Sequence, residues 1–218
     1  MAVNYGASPD KAAEVVRELE GLDVRAAAFK ADQADPSQVE SLIKAVVDQF
    51  GRLDILVNNA GVFARAMVGD PESGPEAIKH QYAVNLGGVL TAIRAAAKVM
   101  RDGGRIVTIG SGVANRVGLP GLADYAATKA AVAGFSKGVV WDLAPRNITV
   151  NVVQPGPIST DMNPPTAAIS RPGSRQLWPW AVMDSPRRSQ PASFSWPAPR
   201  RPISREQRST SMAGTELD

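Results

Sequence analysis

Tyr125 and Lys129 stand four residues apart in Tyr-Ala-Ala-Thr-Lys, fourteen residues after Ser111. A spacing of four puts both side chains on one face of a helix. An ammonium beside a phenol favours the phenolate and lowers the phenol's pKa. A phenol tuned in this way can pass a proton near neutral pH, which an ordinary one, with a pKa of about 10, does poorly. A Ser hydroxyl can hold the oxygen of a carbonyl or alcohol beside it. These are the parts needed for hydride transfer at a C–O centre, with a nicotinamide supplying the hydride. Tyr-x-x-x-Lys alone also fits a surface helix that does no chemistry, so the elements that carry it must decide.

Residues 1–163 alternate short apolar runs with amphipathic helices. Ala2–Tyr5 reads as a strand end, and 10–19 as a helix with Asp10 at its N-cap. Residues 24–29 form a weak strand. Asp35-Pro36 opens the clearest helix, with a capping carboxylate followed by Pro at the first helical position. Val39, Leu42, Ile43, Val46, Val47 and Phe50 then fall on one face. Residues 53–57 read as a buried strand, 76–100 as a helix bent near Asn85, 105–109 as a strand, 124–143 as a long helix and 148–153 as a strand. This alternation predicts an α/β fold, a doubly wound parallel sheet covered on both faces. Ligands on such sheets bind beyond the carboxyl ends of the strands. Ser111, the turn Asn58-Asn59-Ala60-Gly61 and Pro155-Gly156 all fall at such ends.

The chain has 218 residues, enough for one domain with a real core. It has no Cys, so disulfides and Cys-ligated metal chemistry are excluded and no metal is expected. No apolar run approaches the roughly 20 residues of a membrane span, and the start lacks a signal-peptide pattern. A soluble cytoplasmic protein is the expectation. The net charge of +3 does not point to nucleic acid. Residues 164–218 hold eight Arg against four acids, a balance of +4, which leaves the remainder near −1. The same stretch carries nine of the seventeen Pro and three of the four Trp, with no Lys and no periodicity. It reads as a Pro/Arg/Ser-rich tail outside the 1–163 domain. His80 reads as a surface or packing residue, Trp141 as core or subunit interface, and Met67 and Met100 as packing.

Taken together, LDILVNNAG (53–61), VNLGG (84–88), GRIVTIGS (104–111), YAATK (125–129) and PGPIST (155–160) make residues 1–163 resemble a short-chain dehydrogenase/reductase of the 3-oxoacyl-acyl-carrier-protein reductase type. The resemblance implies a Rossmann-type fold and a tetrad of Asn85, Ser111, Tyr125 and Lys129. In it Tyr125 is the acid/base, and Lys129 lowers its pKa and holds the nicotinamide ribose. Ser111 orients the substrate oxygen, while Asn85 bends its helix and holds a water of a proton relay. Asp32 is implied beside the adenine, and Asn58, Ala60 and Gly61 beside the adenine ribose; Asn59 is read as structural. Pro155, Gly156, Ile158 and Thr160 are implied on the nicotinamide side. Tyr5 stands where an NAD enzyme places an acid for the ribose 2′-hydroxyl, which favours NADP over NAD. A small carbonyl or alcohol substrate and a homotetramer follow by the same resemblance.

Two features depart from the family pattern. The Gly-rich loop that carries the pyrophosphate, on a first strand preceding Ala2, is not in the sequence; roughly 35–40 residues would hold it. Without that strand, edges should be left unpaired on both sides of a gap in the sheet. The family's closing strings are also missing from the tail. Yet Arg201–Gly214 can be encoded so that reading from the third base of its first codon gives SYITGATLNVDGG, a family-type closing strand. The same offset over Leu177–Gln190 permits MALGRYGxPEEIA. The expectation is an N-terminally truncated domain with out-of-frame sequence after Asn163. A sequenced locus coding in frame for the tail as written would sink that reading. Beside the oxidoreductase, the sequence leaves open a non-catalytic remnant that holds cofactor poorly and a cofactor-sensing protein without turnover.

Overall fold

The computed structural model describes residues 1–158 and residue 160. Five strands alternate with helices: β1 (Ala2–Tyr5), α1 (Pro9–Glu20), β2 (Ala27–Lys30), α2 (Pro36–Phe50), β3 (Ile55–Asn58), α3 (Pro75–Tyr82), α4 (Val89–Val99), β4 (Arg105–Ile109), α5 (Ala123–Leu143) and β5 (Thr149–Val153). The tail of 164–218 lies outside the described residues.

Local chemistry sets the element ends. Asp35 caps α2, accepting from the backbone N–H of Ser37 and Gln38. Hydrogen bonds from the Gln38 and Ser37 side chains, helped by the capping N–H groups, hold its carboxyl down at about 2. Gly51 closes α2 with φ of 77°, a left-handed conformation open to glycine. In α1 the cap differs from expectation: it is Ser8, with Pro9 in the first turn, and Asp10 lies within the helix.

All strand pairs are parallel, in a Rossmann-like α/β arrangement, but the sheet is split. β1 pairs only with β2, Ala2 opposite Ala27. β3, β4 and β5 form the second sheet, in that order, with Ile55 opposite Arg105 and Arg105 opposite Thr149. One edge of β1 and one edge of β3 are unpaired among the described strands. A common core still joins the two sheets. Ile43 and Val46 of α2, Ile93 of α4, Ile106 of β4, and Val132 and Val139 of α5 pack together. Ala2 of β1 and Phe29 of β2 lie against them.

The expectation that 53–57 is a buried strand is corrected. Leu53 is buried, but Ile55 is 60% exposed and Val57 56%. Their side chains alternate onto the face that the described helices leave open, on a strand with a free edge. Asn59, read as structural, is exposed too. Trp141, read as core or interface, is 81% exposed and is not core. Met100 is core, whereas Met67 is half exposed. His80 is on the surface.

Candidate active site

The site grows from the carboxyl ends of β3, β4 and β5. At the end of β3, Asn58 is buried and its Nδ2 donates to Thr108 Oγ1 of β4 at 3.2 Å. The chain then turns through Ala60 and Gly61. A Cβ on Gly61 would stand 3.4 Å from Asn85 Oδ1 and 3.7 Å from Lys129 Nζ. These two side chains converge on the turn at ordinary contact distance.

Asn85 lies in a π-helical stretch, Ala83–Gly88, between α3 and α4. This is the expected irregularity, and π-turns of this kind recur at functional sites. The side chain is 1% exposed. Its Oδ1 accepts from Val62 N–H and its Nδ2 donates to Val62 C=O, both at 2.8 Å. One amide thus holds both backbone groups of a loop residue.

Ser111 follows β4. Gly110 N–H donates to Val153 C=O at 2.7 Å and Gly112 N–H to Pro155 C=O at 2.9 Å. The β4–β5 pairing is thereby prolonged past the strand ends, which brings Ser111 beside Pro155 and Gly156. Ile158 and Thr160 continue this segment on its exposed side.

Tyr125 and Lys129 sit one turn apart on α5, as their spacing predicts. Lys129 is buried and its Nζ donates to Ile109 C=O at 2.9 Å, 5.8 Å from the centre of the Tyr125 ring. The electrostatics differ from expectation. Burial pushes the Tyr125 phenol above its ordinary value, and a hydrogen bond with the Ser111 side chain draws it part of the way back. Burial pushes the Lys129 amine down. The amine lies over the ring and is engaged with a carbonyl, and burial sets the direction of the phenol's shift. The expectation that Lys129 lowers the Tyr125 pKa is corrected for the protein as it stands here.

Asp32 lies after β2, exposed, with its Oδ1 accepting from Ala34 N–H at 2.8 Å. It makes no bond to the tetrad. Its neighbour Gln33 packs so tightly on the π-helical stretch that a Cβ at Gly88 would lie 2.3 Å from the Gln33 carbonyl oxygen.

Two residues escaped the sequence reading. Gln81, wholly buried, accepts from Ala64 N–H at 2.7 Å through Oε1. Phe63 meets the Tyr125 ring edge-on, with centroids 5.1 Å apart and planes at 88°. The signal for Gln81 was its place on the apolar stripe of its helix, four residues before Asn85. Phe63 lies in a loop without periodicity and carried no signal.

Residues 1–169 match the short chain dehydrogenase family. The 3-oxoacyl-(acyl-carrier-protein) reductase FabG of Staphylococcus aureus is 42% identical over 164 residues, covering 74% of this chain and 65% of that protein. The 3-oxoacyl-(acyl-carrier-protein) reductase of Synechocystis sp. is 41% identical over the same shares. The chain thus spans about two thirds of the length of these curated relatives. A short chain dehydrogenase from Burkholderia cenocepacia, solved in complex with NADP, superposes with a TM-score of 0.79 at 41% identity, over 84% of this chain and 74% of that one. A blue fluorescent protein from a metagenomic library, solved with NADPH, gives 0.73 at 43% identity, over 78% and 68%.

Proposed function

Because the chain belongs to the short-chain dehydrogenase family, we propose that it is an oxidoreductase that moves a hydride between NADP(H) and a carbonyl/alcohol pair. One observation carries the reading. The Ser111 hydroxyl and the Lys129 amine flank the Tyr125 phenol at the carboxyl ends of a parallel sheet.

The nicotinamide side fits. Lys129 has two donors to spare beyond its bond to Ile109 C=O; with the Tyr125 hydroxyl they suit a ribose. Pro155, Gly156, Ile158 and Thr160 border the same place. Asp32, Asn58, Ala60 and Gly61 line the way towards the adenine side. The cofactor, when bound, supplies the hydride. Ser111 orients the substrate carbonyl, and Tyr125 donates the phenolic proton to its oxygen. Lys129 stabilises the phenolate so formed, and Asn85 holds the loop wall and a water that returns the proton. Burial holds the Tyr125 phenol protonated at neutral pH, so it meets a carbonyl substrate as the proton donor.

NADP is preferred over NAD because β1 ends in Tyr5, with no carboxylate there to repel a 2′-phosphate. The relatives solved with NADP and NADPH point the same way. A 3-oxoacyl thioester is the substrate class suggested by the similarity to FabG. Assembly as a homotetramer and a cytoplasmic location belong to the same reading. None of the helices among the described residues is long and apolar enough to cross a membrane.

The test is a fluorescence titration of residues 1–218 with NADPH and, in parallel, NADH. Saturable binding, tighter for NADPH, supports the reading; binding of neither cofactor overturns it.

A further inference from the structure

We propose that Gln81 is a positioning residue for Tyr125, acting through the loop that carries Phe63. This rests on Tyr125 being the proton donor. Gln81 is 0% exposed, and its Nε2 has no hydrogen-bond partner among the described residues. A buried amide with an unmet donor is costlier than an apolar side chain of equal size. Core packing alone therefore gives no reason for glutamine on this stripe. What the amide does achieve is the bond from Ala64 N–H to its Oε1.

One helical turn on, Asn85 fixes both backbone groups of Val62. Phe63 is thus pinned at both chain neighbours by two side-chain amides from one helical face. Its ring then stands edge-on to Tyr125, an arrangement in which aromatic pairs attract and fix each other's planes. The loop's far end is tied independently to the segment before α5. There Arg65 Nε donates to Pro120 C=O at 3.1 Å and Ala66 N–H to Gly121 C=O at 3.2 Å. If those ties sufficed, Gln81 would be dispensable for Tyr125, and this gives the proposal its opposite.

The experiment uses residues 1–218 with 13C-labelled Tyr and Phe. The chain has three Tyr, so Tyr125→Phe identifies the Tyr125 signal. In Gln81→Met the Phe63–Tyr125 NOE is lost and the Tyr125 ring signals move. Its phenol midpoint falls towards the ordinary value of about 10, while the unfolding temperature is unchanged or higher. Gln81→Glu, which keeps an acceptor for Ala64 N–H, retains the parent NOE. Phe63→Leu reproduces the Tyr125 changes with Gln81 in place, and the double variant adds nothing to either alone. Should Gln81→Met not fold, Gln81→Glu and Phe63→Leu decide. Parent-like Tyr125 signals in Gln81→Met or Phe63→Leu overturn the proposal, as does loss of the NOE in Gln81→Glu. None of these readouts needs turnover, so failure here is distinct from failure of the reductase reading.

Discussion

The two sheets of this molecule differ in what they hold. The β3–β4–β5 sheet carries the whole proposed tetrad within reach of its strand ends, and bonds to the loops around it hold three of the four positions. Asn85 is tied to Val62, Lys129 to Ile109, and Ser111 is framed by the Gly110–Val153 and Gly112–Pro155 pairs. The β1–β2 sheet contributes Tyr5 and Asp32, with Asp32 exposed and occupied in its own turn. No strand pairing among the described residues joins the sheets; α2 and the shared core do. The residues proposed for proton transfer thus gather at one sheet, on α5 and the π-helical stretch, whereas those proposed for cofactor contact lie at both sheets.

The sharpest way to break the comparison is at Lys129. Lys129→Met keeps the buried stem but removes the charge that steadies the phenolate. It should cost roughly 10²- to 10³-fold in turnover, the scale of losing one such stabilising group, while NADPH-independent folding, followed by circular dichroism, persists. A loss of folding alone would place Lys129 in the core and not in the chemistry. The packing contrast comes next. Ile106 is wholly buried, and Ile106→Ala should cost about 2–5 kcal/mol in chemical denaturation. Ile55, one strand over but 60% exposed, should cost less than about 0.5 kcal/mol as Ile55→Ala. Equal costs would mean that the open face of β3 is covered in solution.

The cap of α2, Asp35, adds a test by pH. Its carboxyl is held down at about 2, below the unfolded value of about 4. Its contribution to stability is therefore present above pH 4 and lost as pH falls towards 2. Asp35→Ala should lower the thermal midpoint at pH 7 and narrow its difference from the parent towards pH 2; a constant difference would contradict the cap assignment.

Much of this was legible in the residues. The α2 cap, the bend at Asn85 and the Tyr125–Lys129 face each follow from local chemistry, and the structure keeps them. The split into two sheets agrees with the expectation of unpaired edges. The exposure of Ile55 and Val57 was not legible, because an apolar run reads the same whether or not a neighbour covers it. The direction of the Tyr125 shift was missed for a similar reason. Spacing places the amine near the phenol, but only the fold shows that Ile109 C=O engages it and that burial raises the phenol. Gln81 and Phe63 act across the loop, where sequence distance says nothing about contact.

The most direct measurement is NADPH consumption by residues 1–218 with a 3-oxoacyl thioester, compared with Tyr125→Phe. The account predicts turnover in the parent, level between pH 7 and 9, and a loss of about 10²- to 10⁴-fold in the variant. Equal rates in the two proteins would contradict it, because the proton would then come from somewhere other than Tyr125.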